Sequence, residues 1–145
     1  MSDYMHSFEL FEPANIGDAE KLISKFGKDG WIIAGGKDSL DWFKDRNKQP
    51  KAVINISNLK ELRGIKDHAD YISIGSVTTL TEMEDNKLLK KHFPILTDAV
   101  SRIASPQIRN AGTIGGNVAQ DTRCSYYRDG FPCYRAEGNT CYANT

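Results

Sequence analysis

The sequence predicts an α+β chain in which a small parallel βαβ unit is followed by the start of a second, mostly antiparallel α+β subdomain. Two observations predict it. Early in the chain, short apolar strand-like runs alternate with a stretch whose apolar residues recur every three to four positions, the pattern of strands joined by a right-handed helical crossover. After Ile56 that alternation ends and two strand-like runs follow one another directly, as in a hairpin. The expected division is a βαβ unit over 1–57, a second unit over 58–122 and a cysteine-rich segment over 123–145.

Taken in order, Phe8 to Phe11 reads as a short strand followed by Pro13. Ala14 to Phe26 carries Ile16, Ala19, Leu22, Ile23 and Phe26 at helical spacing, and Gly27 to Gly30 supplies the stop. Trp31 to Ala34 is a continuous apolar run, whose uniformity predicts burial on both faces. Gly35-Gly36 breaks this strand, Asp38 or Ser39 can cap, and Leu40, Trp42 and Phe43 begin a second short helix. Ala52 to Ile56 follows as another buried strand. Leu59 to Asp67 and Tyr71 to Ser76 form the expected strand pair, turned around Asp67 to Asp70, and Thr78 to Asn86 begins a helical stretch. Phe93 to Ala104 presents a helix face of Ile95, Leu96, Ala99, Val100 and Ile103, which Ser105-Pro106 terminates or kinks. A glycine-rich loop follows over Asn110 to Asn117, and from Arg123 onward the periodicity is lost. Tyr142 to Thr145 arrives without a closing helix or strand, which reads as a fragment or a subunit completed by another chain.

The chain has 145 residues, 39% of them hydrophobic, with a mean hydropathy of -0.50, which suits one soluble unit or a piece of one. Nineteen basic residues balance nineteen acidic ones, so whole-protein charge does not make it a nucleic-acid binder. No window approaches the roughly 18–20 apolar residues of a membrane helix, and the start of the chain has no basic-then-apolar signal. The expectation is a cytoplasmic protein with no membrane and no nucleic-acid partner. Three cysteines, crowded into Cys124, Cys133 and Cys141, do not form the paired framework of a small secreted domain. Either they are reduced, or they bind something together.

Two motifs carry chemistry. In Ala34-Gly35-Gly36-Lys37-Asp38-Ser39-Leu40, backbone N–H groups of a strand-to-helix turn face outward, the glycines let a phosphate approach, and Lys37 can add charge. It is neither a P-loop nor G-x-G-x-x-G, and plain turn chemistry explains it equally well. Thr113-Ile114-Gly115-Gly116-Asn117 repeats the chemistry with a flanking hydroxyl and amide. A diphosphate clamped from two sides is the sharper reading, and it suits a dinucleotide such as FAD; a tight turn is the blander one. His6, His68 and His92 share no spacing and read as solvent-facing or locally bonded; Glu82, Glu84 and Asp85 read as a solvated helix face, and Trp31 and Trp42 as core. No nucleophile or general acid–base pairing can be argued from spacing.

With Arg109-Asn110-Ala111-Gly112 leading into the second motif, the pair resembles the FAD-binding subunit or domain of the molybdenum hydroxylases, the xanthine dehydrogenase, carbon monoxide dehydrogenase and 4-hydroxybenzoyl-CoA reductase relatives. The resemblance runs from about Phe8 onward. It implies the PCMH-type fold of vanillyl-alcohol oxidase and para-cresol methylhydroxylase, a parallel βαβ subdomain packed on a mostly antiparallel one. It also implies that Ile33, Ala34, Gly35, Gly36, Lys37, Asp38, Ser39 and Leu40 form one FAD loop and Thr113, Gly115, Gly116 and Asn117 the other, with Gln120 and Thr122 as further flavin contacts. Lys37 stands where the family more often has Thr, His or Asn. Family members are also longer, continuing into a sheet completion and a C-terminal domain.

The cysteines are separated by eight and seven intervening residues, unlike a C-x-x-C zinc knuckle. Buried or idle thiols, zinc, and iron–sulfur ligation remain open for Cys124, Cys133 and Cys141, the last one ligand short of the usual four. The segment resembles the insertion of 4-hydroxybenzoyl-CoA reductase-type flavin subunits, which implies a four-iron, four-sulfur cluster with its fourth ligand outside this chain. The implied function is an electron relay: a flavin oxidoreductase subunit working between a molybdenum-cofactor subunit, a two-iron iron–sulfur subunit and a carrier such as NAD or ferredoxin. The alternatives are a non-enzymatic interaction or assembly module that docks a partner or a metal through its Arg/Tyr/Cys tail, and a degenerate flavin domain that has lost FAD.

Overall fold

The computed structural model describes residues 5–144; residues 1–4 and 145, which the expected first and last units include, lie outside the described residues. The first unit comprises β1 (Glu9–Phe11), α1 (Ile16–Phe26), β2 (Gly30–Ile33), α2 (Ser39–Lys44) and β3 (Ala52–Asn55). The three strands are parallel in the order β1-β3-β2. Asn15 starts α1 by accepting the Asp18 amide at 2.9 Å, and Gly27 ends it at a φ of 49°. Its inner face, with Ala19 buried and Phe26 in ring contact with Phe11, rests on β2 and β3.

Strand order corrects one expectation. β3 lies between two partners and buries Ala52, Val53 and Ile54 completely, whereas among the described residues β2 has a neighbour on one side only, and its Ile32 is 48% exposed. A uniformly apolar run therefore marks an edge strand here, not one covered on both faces. On the α2 side, Trp42, Phe43 and Val53 pack with Phe8, Trp31 and Ile33, so both tryptophans serve the core.

Beyond β3, only Ile65–Asp67 of the expected long strand is extended (β4); Lys60–Leu62 is a 3-10 turn. β4 pairs antiparallel with β5 (Ile72–Ile74), and the His68 amide closes the hairpin on the Tyr71 carbonyl at 2.9 Å. Helices then follow: α3 (Leu80–Asp85), α4 (Lys87–His92), α5 (Pro94–Ser101), α6 (Pro106–Ala111) and α7 (Ile114–Val118). Leu80, Met83, Leu89 and Val100 form their core, closed by the hairpin's Ile65, Ile72 and Ile74.

Of the solvated face expected of Glu82, Glu84 and Asp85, Glu82 and Asp85 are exposed while Glu84 is half-buried. Thr79 and Glu82 form a reciprocal capping box at the start of α3, and Glu84 accepts from the buried Arg109 at 2.8 Å, tying α3 to α6. In α5, Ile95 is 81% exposed and Ala99 is also exposed; the inward face is Leu96, Thr97, Val100 and Ile103. Ser105-Pro106 begins α6, with Ser105 accepting the Ile108 amide and Pro106 at the first helical position. The glycine-rich loop expected over Asn110 to Asn117 is therefore the end of one helix, a Gly112-Thr113 hinge and the first turn of the next. After α7 the described residues form only α8 (Ser125–Arg128) and a 3-10 turn at Tyr134–Ala136.

Candidate functional site

The end of β2 and the start of α7 are distant in sequence, and the backbone around Thr79 brings the second of them into position. Thr79 and Thr113 form an isolated antiparallel bridge. Beside it, the Leu80 amide donates to Gly112 at 2.9 Å, the Ile114 amide to Thr78 at 2.9 Å and the Gly115 amide to Ser76 at 2.8 Å. The first glycine motif packs against this fixed second one. A Cβ built on Gly35 would lie 1.9 Å from the Ala111 carbonyl oxygen and 3.1 Å from the Gly112 Cα, so only glycine permits the approach. Gly36 follows at a φ of 70°, in the left-handed region that carries the turn into α2.

Between the motifs lies a cleft of about 510 Å3, within the range of about 300–1,000 Å3 usual for small-ligand sites. Ala34, Gly35, Gly36, Lys37, Asp38 and Ser39 line one wall, and Thr113, Gly116, Asn117 and Gln120 line another. Four of the expected flavin contacts do not line it. Ile33 packs inward on the α2 core, Leu40 lies outside the cleft, and Gly115 is pressed on the Ser76 backbone. Thr122 sits beyond α7, its carbonyl accepting from the Arg128 Nε at 3.3 Å.

The apolar part of the lining, which includes Trp31, Ile32, Trp42, Leu80, Ile103 and Ile108, escaped the sequence reading. The signal was present in part: Ile108 stands one helical turn before Gly112, a spacing that puts the two together once 106–111 is read as a helix. Asp121 and Arg123 also line the cleft, although Arg123 read as part of an outward-facing tail.

The amides of Gly35, Gly36 and Lys37 have no hydrogen-bond acceptor among the described residues. Unpaired donors, a lysine, and the hydroxyl and amide groups of Thr113, Asn117 and Gln120 stand next to an apolar surface. That donor set fits a molecule joining an anionic, oxygen-rich part to a flat apolar one, as FAD does.

The segment after Gln120 folds back over the first motif. Asp38 Oδ1 accepts from Arg123 at 2.8 Å and from Arg128 at 2.9 Å, and its Oδ2 accepts from the Trp42 indole at 3.0 Å. Arg128 also lies over the Trp42 ring at 4.2 Å, and Tyr127 meets that ring edge-on. Asp121 accepts from the Tyr127 hydroxyl at 3.0 Å and from Arg135 at 2.7 Å. Of the tail residues expected to dock a partner, Arg123, Arg128, Arg135 and Tyr127 are thus engaged by the chain itself.

Burial opposes ionisation of Asp38, but the donors from Arg128, Arg123 and Trp42 outweigh it and hold the carboxyl below its ordinary range. For Asp121, burial is likewise outweighed by the Thr122 amide, Arg135 and Tyr127. A carboxyl with a depressed folded-state pKa adds stability above its unfolded value, about 3.9 for Asp, and loses it as the pH falls through the folded value. Docking of the segment is therefore expected to persist from about pH 8 to about pH 5 and to fail only below about pH 4. Tryptophan fluorescence, through the stacking on Trp42, checks this; a transition between about pH 5 and pH 7 would contradict it.

Cys124 is half-buried ahead of α8, Cys133 is buried and Cys141 is exposed. Among the described residues no group of three or more His, Cys, Asp and Glu side chains is arranged to hold a metal ion. Among the described residues no helix is long and apolar enough to cross a membrane.

Comparison with known proteins gives one consistent result. Residues 6–138 match the family described as the FAD binding domain in molybdopterin dehydrogenase. The carbon monoxide dehydrogenase medium chain of Hydrogenophaga pseudoflava is 37% identical over 112 residues, covering 77% of this chain and 39% of that protein. The nicotinate dehydrogenase FAD-subunit of Eubacterium barkeri is 41% identical over 117 residues, covering 79% and 39%. Among solved structures, carbon monoxide dehydrogenase from Hydrogenophaga pseudoflava superposes with a TM-score of 0.77 at 35% identity, covering 79% of this chain and 40% of that one. The chain thus spans about two fifths of the length of the relatives it matches.

Proposed function

Because the chain belongs to the family of FAD-binding domains of molybdopterin dehydrogenases, we propose that the cleft between its two glycine motifs seats FAD. The observation that carries this reading is the packing of Gly35 on the Ala111 carbonyl, which sets both motifs on one cleft. In this reading the amides of Gly35, Gly36 and Lys37 donate to the diphosphate from one side, with the Lys37 ammonium adding charge. Thr113, Asn117 and Gln120 meet it from the other, where Gly116 leaves space. Ile32, Leu80, Ile103 and Ile108 cover an apolar part of the cofactor and keep water from it. Ile33, Leu40, Gly115 and Thr122 act from behind these groups, by fixing the backbone they sit in.

Bound FAD supplies reversible two-electron chemistry, and the chain supplies binding, orientation and local electrostatics. No side chain needs to act as general acid or base. The whole protein's role in this proposal is an electron relay in a cytoplasmic complex. Its partners would be a molybdenum-cofactor subunit and a two-iron iron–sulfur subunit, with NAD or ferredoxin as external carrier.

The test is the visible spectrum of the purified chain, with flavin measured after denaturation. The expected result is flavin absorbance and about one FAD per chain. A colourless protein that takes up no added FAD would overturn the reading.

A further inference from the structure

Resting on the flavin reading of the cleft, we propose that Arg128 is a positioning residue for it: acting through Asp38, it sets the turn between β2 and α2, and so couples docking of the 121–135 segment to FAD binding. Three features of this side chain carry the inference. First, Arg128 and Asp38 are the better shielded of the ion pairs at this site, their side chains 16% and 18% exposed, while that of Arg123 is 59% exposed. Exposed pairs contribute little, whereas removing one partner of a shielded pair leaves the other charge uncompensated.

Second, Arg128 closes a ring of contacts instead of making a single one. It donates to Asp38 at 2.9 Å, stacks on Trp42 at 4.2 Å, and Trp42 in turn donates to Asp38 at 3.0 Å. The Nε of Arg128 reaches the Thr122 carbonyl, and its own carbonyl accepts from the Asn47 side chain. One guanidinium therefore joins the first glycine motif, α2 and the segment beyond α7.

Third, Asp38 occupies the position before α2 where an aspartate ordinarily caps the helix, yet its side chain makes no capping bond. Arg123, Arg128 and Trp42 occupy its oxygens instead. Without Arg128, the Asp38 carboxylate keeps only the exposed Arg123 and the Trp42 indole, and its Oδ1 is freer to turn toward the amides of the first turn of α2. The backbone from Gly35 to Lys37, which lines the cleft, turns with it. Coupling between two binding events is reciprocal, so whatever docking contributes to FAD affinity, FAD contributes to docking.

The experiment is a flavin-fluorescence titration with FAD of the full chain and of Arg128→Gln, Asp38→Asn and the double variant, all checked for folding by circular dichroism. Arg128→Gln is expected to weaken FAD binding about tenfold, within the range usual for coupled sites. The double variant is expected to bind no more weakly than the weaker single one, since the two residues act as one unit. FAD should also slow the reaction of Cys133 with a thiol reagent in the unsubstituted chain, but not in Arg128→Gln. If Arg128→Gln does not fold, Arg128→Lys, which keeps the charge and loses the stacking, carries the same test with a smaller expected loss. Unchanged FAD affinity in a folded Arg128 variant, or additive effects in the double variant, overturns the coupling and leaves the flavin reading standing. No FAD binding by the unsubstituted chain overturns both.

Discussion

Replacing Gly35 by alanine is expected to cost the protein about 3 kcal/mol or more of stability and its flavin together. The added methyl carbon would start 1.9 Å from the Ala111 carbonyl oxygen and 2.8 Å from its carbon, so the two backbones must part by more than an ångström to admit it. Neither can give easily. Ala111 ends α6, and the Gly112 amide and carbonyl that follow are committed to Ile108 at 2.7 Å and Leu80 at 2.9 Å. On the other side, β2 is held by its register with β3. Overpacking against fixed backbone lies at the costly end of such substitutions, and a loss of this size is a large share of the roughly 5–15 kcal/mol that holds a domain folded. Urea denaturation should show it as a lower midpoint at unchanged slope, with a melting temperature lower by roughly 10 °C. An alanine variant as stable as the parent would mean that the two motifs do not touch.

That contact also marks where the sequence was legible and where it was not. The two glycine pairs stand out as composition, and the strand that leads into the first is visible as an apolar run, because a parallel βαβ unit writes its pattern over contiguous residues. The packing of Gly35 on Ala111 joins residues that no local pattern relates. Ile32 illustrates the same limit: its apolar neighbours predict burial, but strand order decides coverage, and β3 takes the central place. In the second unit the inward residues Leu96, Val100 and Ile103 were readable from their spacing, while Ile95 was not separable from them until Pro94 fixed where the helix turns begin.

Charged residues were the least legible, for a physical reason. A carboxylate on a helix and an arginine in a loop look solvated until a partner is brought to them, and the partner lies elsewhere in the chain. Glu84 with Arg109, and Asp38 with Arg123 and Arg128, are of this kind. The Arg- and Tyr-rich tail therefore read equally well as a docking strip for another molecule, and its use by this chain follows from Asp38 lying at the lip of the cleft.

Gly116 separates binding from folding in a way that Gly35 does not, and Gly116→Val is expected to lose flavin while remaining folded. A Cβ built there meets only the Thr113 Oγ1, at 3.2 Å, within 4 Å. A side chain at this position of the cleft wall thus extends into open space. The Thr113 hydroxyl, which accepts the Gly116 amide at 3.2 Å, must shift by a few tenths of an ångström, and valine's better helix propensity relative to glycine offsets part of that cost. Net stability should stay within about 1 kcal/mol of the parent. Binding has no such offset. If the valine methyls keep a phosphate oxygen from even one charge-assisted donor, about 1.5–3 kcal/mol is lost, or roughly 10- to 100-fold in affinity. Equilibrium dialysis against FAD, with a denaturation curve on the same preparation, decides it. Full FAD occupancy in folded Gly116→Val would remove the second motif from the site, whereas lost flavin at unchanged stability would establish that the space beside Thr113 is kept open for the cofactor.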